Sequence, residues 1–242
     1  MHIKLMDAAL ACLSMYDVNP DGAPSSFEGY TLLHHVMGKV HLGASRFEKD
    51  PKARPAYATY KKDGTNSVII AIRGSILTEG DWTFNNAKIG INLTPARAKE
   101  TFDYVQRQQF GKKDWEFIIA GHSLGGGLAQ LIGYYTNNNF IGFNAPAMRN
   151  SVTGQLLIGS AGTGLTNKIS SREYAKGCVF NTSHDPVSKL SGRFIGYDHR
   201  VWSNIAMGLD AHMMEGMVEG LMSPGAGWRY RSVLDCCSKA KS

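Results

Sequence analysis

GHSLGG, residues 121–126, stands between the apolar run FIIA (117–120) and the helix-like stretch GLAQLIGYY (127–135). A serine fenced by glycines where a strand gives way to a helix has the form of a nucleophile elbow. In such a turn Ser123 occupies a strained backbone conformation, and Gly121 and Gly125 admit neighbouring backbone at close range. The turn lifts the serine to the carboxyl edge of the sheet, where open α/β sheets bind their ligands. The helix that follows aims its positive end at the same place, and the Leu124 N–H is placed to donate to a developing oxyanion. A glycine-rich turn that merely contains a serine is the competing reading, and the flanking strand and helix weigh against it.

Outward from this motif, strand-like and helix-like stretches alternate. AYATYKK (56–62), Asp63-Gly64 and NSVIIAIRG (66–74) read as a β-hairpin whose second strand is apolar throughout, as a strand buried on both faces is. Thr94-Pro95 marks the start of a helix of about four turns ending near Gln108. FIGFNAP (140–146) and GCVFN (177–181) read as further buried strands. The pattern predicts an α/β fold with a mostly parallel central sheet covered by helices on both faces. A single domain over 1–242 is expected, with the motifs between about 65 and 220.

At the amino end, MHIKLMDAALACLSMY places Ile3, Met6, Leu10 and Leu13 on one helical face and has no signal-peptide pattern. NPDGAPSSFEG, ending at Gly29, reads as a surface loop. In the region 203–223, Leu209, Met213, Met217 and Leu221 recur four apart, with Met214 and Val218 beside them. This predicts one amphipathic helix whose methionines pack the core rather than a lipid surface.

The net charge of +6 and the pI near 9.1 favour anionic or zwitterionic surfaces. The basic residues are scattered and not interleaved with aromatics, which argues against a nucleic-acid partner. No apolar run reaches the roughly 18 residues of a membrane span. Cys12, Cys178, Cys236 and Cys237 form no CxxC pair, so reduced thiols and synthesis in a cytoplasm are expected.

A serine hydroxyl needs a base within hydrogen-bond reach and an acid to orient that base. In the α/β-hydrolase order the acid and then the histidine follow the serine. Of the carboxylates after Ser123, only Asp185, in VFNTSHDPV, directly follows a predicted buried strand, although a turn aspartate before Pro186 is the plainer alternative. His199 and His212 are the histidines that remain. His212 opens the methionine-striped helix, with Asp210 as its N-cap, whereas His199 in YDHRVW lacks regular support, so His212 is the preferred base. IRGS (72–75) is placed to bring a second oxyanion donor, Ser75, by its main-chain N–H, its hydroxyl or both. His2, His34, His35, His41, His122 and His184 show no metal-like pairing and read as core, surface or turn residues. No metal and no cofactor is expected.

IRGS, Asp81-Trp82, GHSLGGGLAQ, FNAP, HDPV and AHMMEGM together resemble the class 3 lipases, the fungal-type family of the α/β-hydrolase fold. The resemblance implies Ser123 as nucleophile, Asp185 as orienting acid, His212 as base, Ser75 and Leu124 as the oxyanion hole, and a lid within 76–93. It implies hydrolysis of lipid carboxylic esters at a membrane interface, by a phospholipase A or an acylglycerol lipase. Asp185 and His212 lie 27 positions apart, shorter than expected for secreted fungal members, and the signal peptide and disulfides of those members are missing. The chain looks more like the bacterial or intracellular branch. Some lipases resembling class 3 are antibacterial phospholipase toxins delivered without a signal peptide, and the chain fits export by such a route as well as it fits an ordinary intracellular lipase. Two readings stay open beside it: an esterase for small soluble esters, and an inactive hydrolase fold that binds a lipid or a protein.

Overall fold

The computed structural model describes residues 3–17, 19, 21–37, 39–41, 47–49, 55–74, 95–148, 176–189, 193–203, 209–224 and 227–237. Helix α1 (Leu5–Leu13) leads to β1 (Tyr30–Met37), then to a two-stranded ribbon of β2 (Lys39–His41) and β3 (Phe47–Lys49), and then to the hairpin β4 (Pro55–Lys62) and β5 (Ser67–Ile72). After these come α2 (Pro95–Gln109), β6 (Glu116–His122), α3 (Leu124–Thr136), β7 (Asn139–Phe143), β8 (Gly177–Thr182) and β9 (Tyr197–Val201). Helices α4 (Leu209–His212), α5 (Met214–Met222) and α6 (Val233–Cys237) complete the order.

The main sheet has seven strands in the order β1-β4-β5-β6-β7-β8-β9. The first two joins are antiparallel and every join from β5 to β9 is parallel. Asp63-Gly64 makes the hairpin turn, with Gly64 at φ +68°, and pairs Lys61 with Val68 and Tyr57 with Ile72. Side chains leave a strand alternately to its two faces, and both faces are covered. Ile69, Ala71, Ile118, Ala120, Ile141 and Phe143 pack with α1, α5 and α6, while Val68, Ile70, Ile72, Phe117 and Ile119 pack with α2 and α3. Each central strand is therefore apolar through its middle and polar only near its ends, which is the α/β pattern read from the sequence.

Several local expectations are corrected. Helix α1 is buried on more than one face: Leu5, Ala8, Ala9, Ala11 and Cys12 are buried with Met6, whereas Leu10 and Leu13 only lean on the core. Small alanines leave room for neighbours on several sides, so large residues alone mislead about its orientation. Strands β1 and β9 were not foreseen. Both are edge strands, and their burial is mixed rather than uniform, so YTLLHHVM and YDHRV carry little apolar signal. Finally, the single helix expected across 203–223 is broken at Met213, whose φ of −67° and ψ of 153° are extended. Asp210 lies inside the first turn of α4 rather than at its cap, and His212 ends α4 instead of opening the striped helix. The four-apart series fails there as well, because Met213 is exposed while Met214, Met217 and Leu221 are buried.

Ser75, the lid region 76–93 and the cap residue Thr94 lie outside the described residues. No helix among the described residues is long and apolar enough to cross a membrane. The cysteines are free thiols, and Cys178 and Cys237 meet with sulfurs 3.2 Å apart where α6 packs on β8.

Candidate active site

The elbow stands at the carboxyl edge of the central strand β6. Ser123 lies between β6 and α3 at φ 55° and ψ −126°, a costly conformation for a residue with a side chain. Its neighbours hold it there: its N–H donates to the Phe143 carbonyl at 2.9 Å, and its carbonyl accepts from the Gly127 N–H at 3.1 Å. The glycines are required by close approach. A Cβ on Gly121 would collide with the Gly125 carbonyl, and one on Gly125 would collide with the Ile72 carbonyl at the end of β5. Gly125→Ala is accordingly expected to destabilise the fold by about 3 kcal/mol, since only backbone is available to yield. Urea unfolding checks this, and an unchanged midpoint contradicts it.

Ser123, Asp185 and His212 converge from three separate segments. The His212 Nε2 lies 2.8 Å from the Ser123 Oγ, and the His212 Nδ1 lies 2.8 Å from the Asp185 Oδ1. A carboxylate only accepts, so Nδ1 carries the ring proton and Nε2 is left to accept from the serine hydroxyl. Asp185 is wholly buried and His212 is 2% exposed, while Ser123, at 9%, is the most open of the three. The Asp185 carboxylate is satisfied further by the Val187 N–H on Oδ1 at 3.0 Å and the Ser188 N–H on Oδ2 at 2.8 Å. These main-chain donors offset the cost of burying the carboxylate.

The segment bearing His212 is fastened to the sheet edge through its carbonyls. The Thr182 hydroxyl donates to the Ala211 carbonyl at 2.6 Å, and the Asn144 amide donates to the Ala211 and His212 carbonyls at 3.0 Å each. Nε2 of His122 lies 2.7 Å from the His212 carbonyl. These side chains take the carbonyls that a continuing helix needs for its own amides, which is the physical reason that α4 stops at His212. Asn144 also accepts from the Thr182 N–H at 2.9 Å, and it sits at φ 44° just past β7. Thr182, Asn144 and His122 were not singled out from the sequence. The asparagine of FNAP and the histidine within GHS were the available signals, since both are polar residues at the ends of apolar strands.

His199 lies elsewhere. It is on β9 opposite Phe180, stacks on that ring at 4.7 Å and bonds through Nε2 to the Cys236 carbonyl at 3.1 Å. It does have regular support, contrary to expectation, and that support holds it against α6. Leu124 begins α3, so its N–H is one of the first-turn amides without an intrahelical partner. Gly74, next to Ser75 in sequence, reaches the elbow: a Cβ there would come within 2.8 Å of the Ser123 Cβ.

Burial first, and then the neighbouring His212, push the pKa of His122 down to about 3 from its ordinary 6.5. The folded state therefore refuses a proton that the unfolded chain accepts. The stability that this neutral ring contributes is present above pH 6.5 and is lost as pH falls toward 3, by at most about 1.4 kcal/mol per pH unit. Urea midpoints measured from pH 7 to pH 4 should fall less steeply in His122→Gln than in the wild type. Parallel slopes would contradict this.

No curated protein sequence matches the chain. Solved structures similar to it include a triacylglycerol lipase from Penicillium expansum, at 14% identity, TM-score 0.46 and 96% coverage of each chain. A mono- and diacylglycerol lipase from Aspergillus oryzae matches at 14% identity and TM-score 0.42, covering 97% of this chain and 99% of its own. A lipase from Rhizopus microsporus var. chinensis matches at 14% identity and TM-score 0.45, covering 81% of this chain and 71% of its own. At such identities and scores these neighbours say nothing about substrate. The family described as "Phospholipase-like: Tle-like phospholipase domain" matches residues 9–181, from α1 through the elbow into β8. Asp185 lies just beyond that stretch and His212 well beyond it. With nearly three quarters of its length covered, the chain belongs to the Tle-like phospholipase family and is a lipid ester hydrolase.

Proposed function

We propose that the protein is a phospholipase A that cleaves an acyl ester of phospholipids through an acyl-enzyme on Ser123. The observation that carries this reading is the single imidazole of His212 bridging the Ser123 hydroxyl and the Asp185 carboxylate at 2.8 Å on each side. In the first half-reaction Ser123 Oγ attacks the ester carbonyl carbon while His212 Nε2 takes the hydroxyl proton. Asp185 keeps Nδ1 protonated and stabilises the imidazolium that forms. The tetrahedral oxyanion is held by the N–H of Leu124 and by Ser75, each such donor contributing about 10² in rate. Collapse expels the lysophospholipid alcohol, which takes the proton from Nε2. Water then repeats the sequence on the acyl-serine and releases the fatty acid.

The phospholipid preference rests on charge: at +6 the chain is drawn to anionic and zwitterionic headgroups more than to neutral acylglycerols. Purified protein on vesicles that mix phospholipid with acylglycerol tests both parts by mass spectrometry. Fatty acid appearing with lysophospholipid is the expected result. Fatty acid with partial acylglycerols alone moves the substrate to neutral lipid, and turnover of soluble short esters alone overturns the lipid reading.

A further inference from the structure

His122 is 4% exposed and lies between the elbow and the segment that carries His212, with the two imidazole centroids 4.9 Å apart. Its Nε2 bonds to the His212 carbonyl at 2.7 Å, and a carbonyl only accepts, so Nε2 carries the ring proton. In the neutral ring Nδ1 is then a bare acceptor. The Tyr16 hydroxyl lies 2.7 Å from that Nδ1 and therefore donates to it. With its proton committed there, the phenolic oxygen accepts from the Gly74 N–H at 3.1 Å. The direction of all three bonds is thereby fixed: Gly74 N–H to Tyr16, Tyr16 O–H to His122, and His122 N–H to the His212 carbonyl. The Tyr16 and His122 rings also meet edge to face, 5.4 Å apart at 82°.

These bonds join parts of the chain that are distant in sequence. Tyr16 follows α1, Gly74 follows β5, His122 ends β6, and His212 ends α4. Both ends of the relay border the reacting serine. His212 bonds to it directly, and Gly74 is packed so closely that a Cβ there would crowd the Ser123 Cβ. Acyl transfer needs the base and the strand end beside the serine to keep their places as charge develops, because a small displacement in such a site costs heavily in rate.

We propose that Tyr16 and His122 form a positioning relay that holds the main chain of His212 and the end of β5 at Gly74 in fixed register with Ser123. The proposal rests on the roles given above to Ser123, His212 and Asp185. Neither Tyr16 nor His122 touches the reacting atoms. His122 suits the task because its buried ring stays neutral. A charged ring would lose the lone pair that accepts from Tyr16 and would oppose the imidazolium that His212 becomes during turnover.

The bonds are separable by substitution. Tyr16→Phe keeps the ring and removes the hydroxyl. His122→Gln keeps an amide donor for the His212 carbonyl but no acceptor for Tyr16, whereas His122→Asn keeps the acceptor and loses the donor. The test is the second-order rate at which a fluorophosphonate labels Ser123, measured with kcat and KM on a soluble short ester and with Tm. Tyr16→Phe should label on the order of tenfold more slowly and lose kcat by the same factor, with KM unchanged and only a small fall in Tm from the two bonds removed. His122→Gln and His122→Asn should each slow labelling, and adding Tyr16→Phe to His122→Gln should cost less than Tyr16→Phe costs in the wild type, because the bond between the two side chains is already gone and only the Gly74 bond remains to be cut. Labelling of Tyr16→Phe and His122→Asn within twofold of wild type, losses that track Tm, or a change in KM alone would overturn the relay. A wild-type chain that fails to label at Ser123 overturns instead the reading of the site on which the relay rests.

Discussion

Ser123→Ala is expected to lower kcat for ester hydrolysis by about 10⁶ while leaving the fold intact, because in the proposed mechanism the hydroxyl is the one group that attacks the carbonyl carbon. The substitution removes one oxygen. The main-chain bonds that hold the elbow, from the Ser123 N–H to Phe143 and from Gly127 to the Ser123 carbonyl, do not involve the side chain. Alanine meets the same backbone strain at φ 55° as serine does, so Tm should change little. Association with phospholipid vesicles should persist as well, since it does not depend on the nucleophile. Hydrolysis assays with calorimetry and vesicle sedimentation check the three parts together, and a variant that keeps a tenth of wild-type turnover contradicts the role of Ser123.

Asp185→Asn should lower kcat by about 10⁴ and, unlike the serine variant, should also destabilise the protein, by roughly 2 kcal/mol. The carboxylate accepts from His212 Nδ1 and the Val187 N–H on one oxygen and from the Ser188 N–H on the other. An amide cannot satisfy all three. With its NH₂ toward His212 it faces the Val187 donor and forces the imidazole into the tautomer that cannot take the serine proton. With its NH₂ turned away it faces the Ser188 donor. Either orientation buries two opposed donors, which is the source of the lost stability, and the first also explains the lost rate. Turnover within tenfold of wild type, or an unchanged urea midpoint, would show that Asp185 does not orient the base.

Much of the fold was legible because its central strands are buried on both faces. VIIAI, FIIA and FIGF carry no polar side chain, and glycine or asparagine marks their ends. Ser123 was legible for a related reason: the close approaches at Gly121 and Gly125 leave a fixed spacing around the elbow. Chain order then brought Asp185 and His212 forward, and in the structure His212 hydrogen-bonds to Ser123 on one side and to Asp185 on the other. What escaped was whatever depends on the far side of a contact. β9 is held by pairing with β8, not by its own apolarity, so YDHRV gave no strand signal. The break at Met213 arises because Thr182, Asn144 and His122 capture carbonyls at the end of α4, and helical periodicity contains no record of those partners. Tyr16 meets His122 across 106 positions, so no local pattern links them.

The most direct test of acyl transfer through Ser123 is to catch the intermediate. Protein mixed with phospholipid vesicles is quenched in acid within the first turnovers, digested, and its peptides weighed. An acyl-enzyme predicts an adduct equal to one fatty acid less water on the peptide containing Ser123, gone in Ser123→Ala and accumulating where the second half-reaction is slow. Fatty acid released at the wild-type rate with no adduct on Ser123, or an adduct confined to another residue, would contradict it.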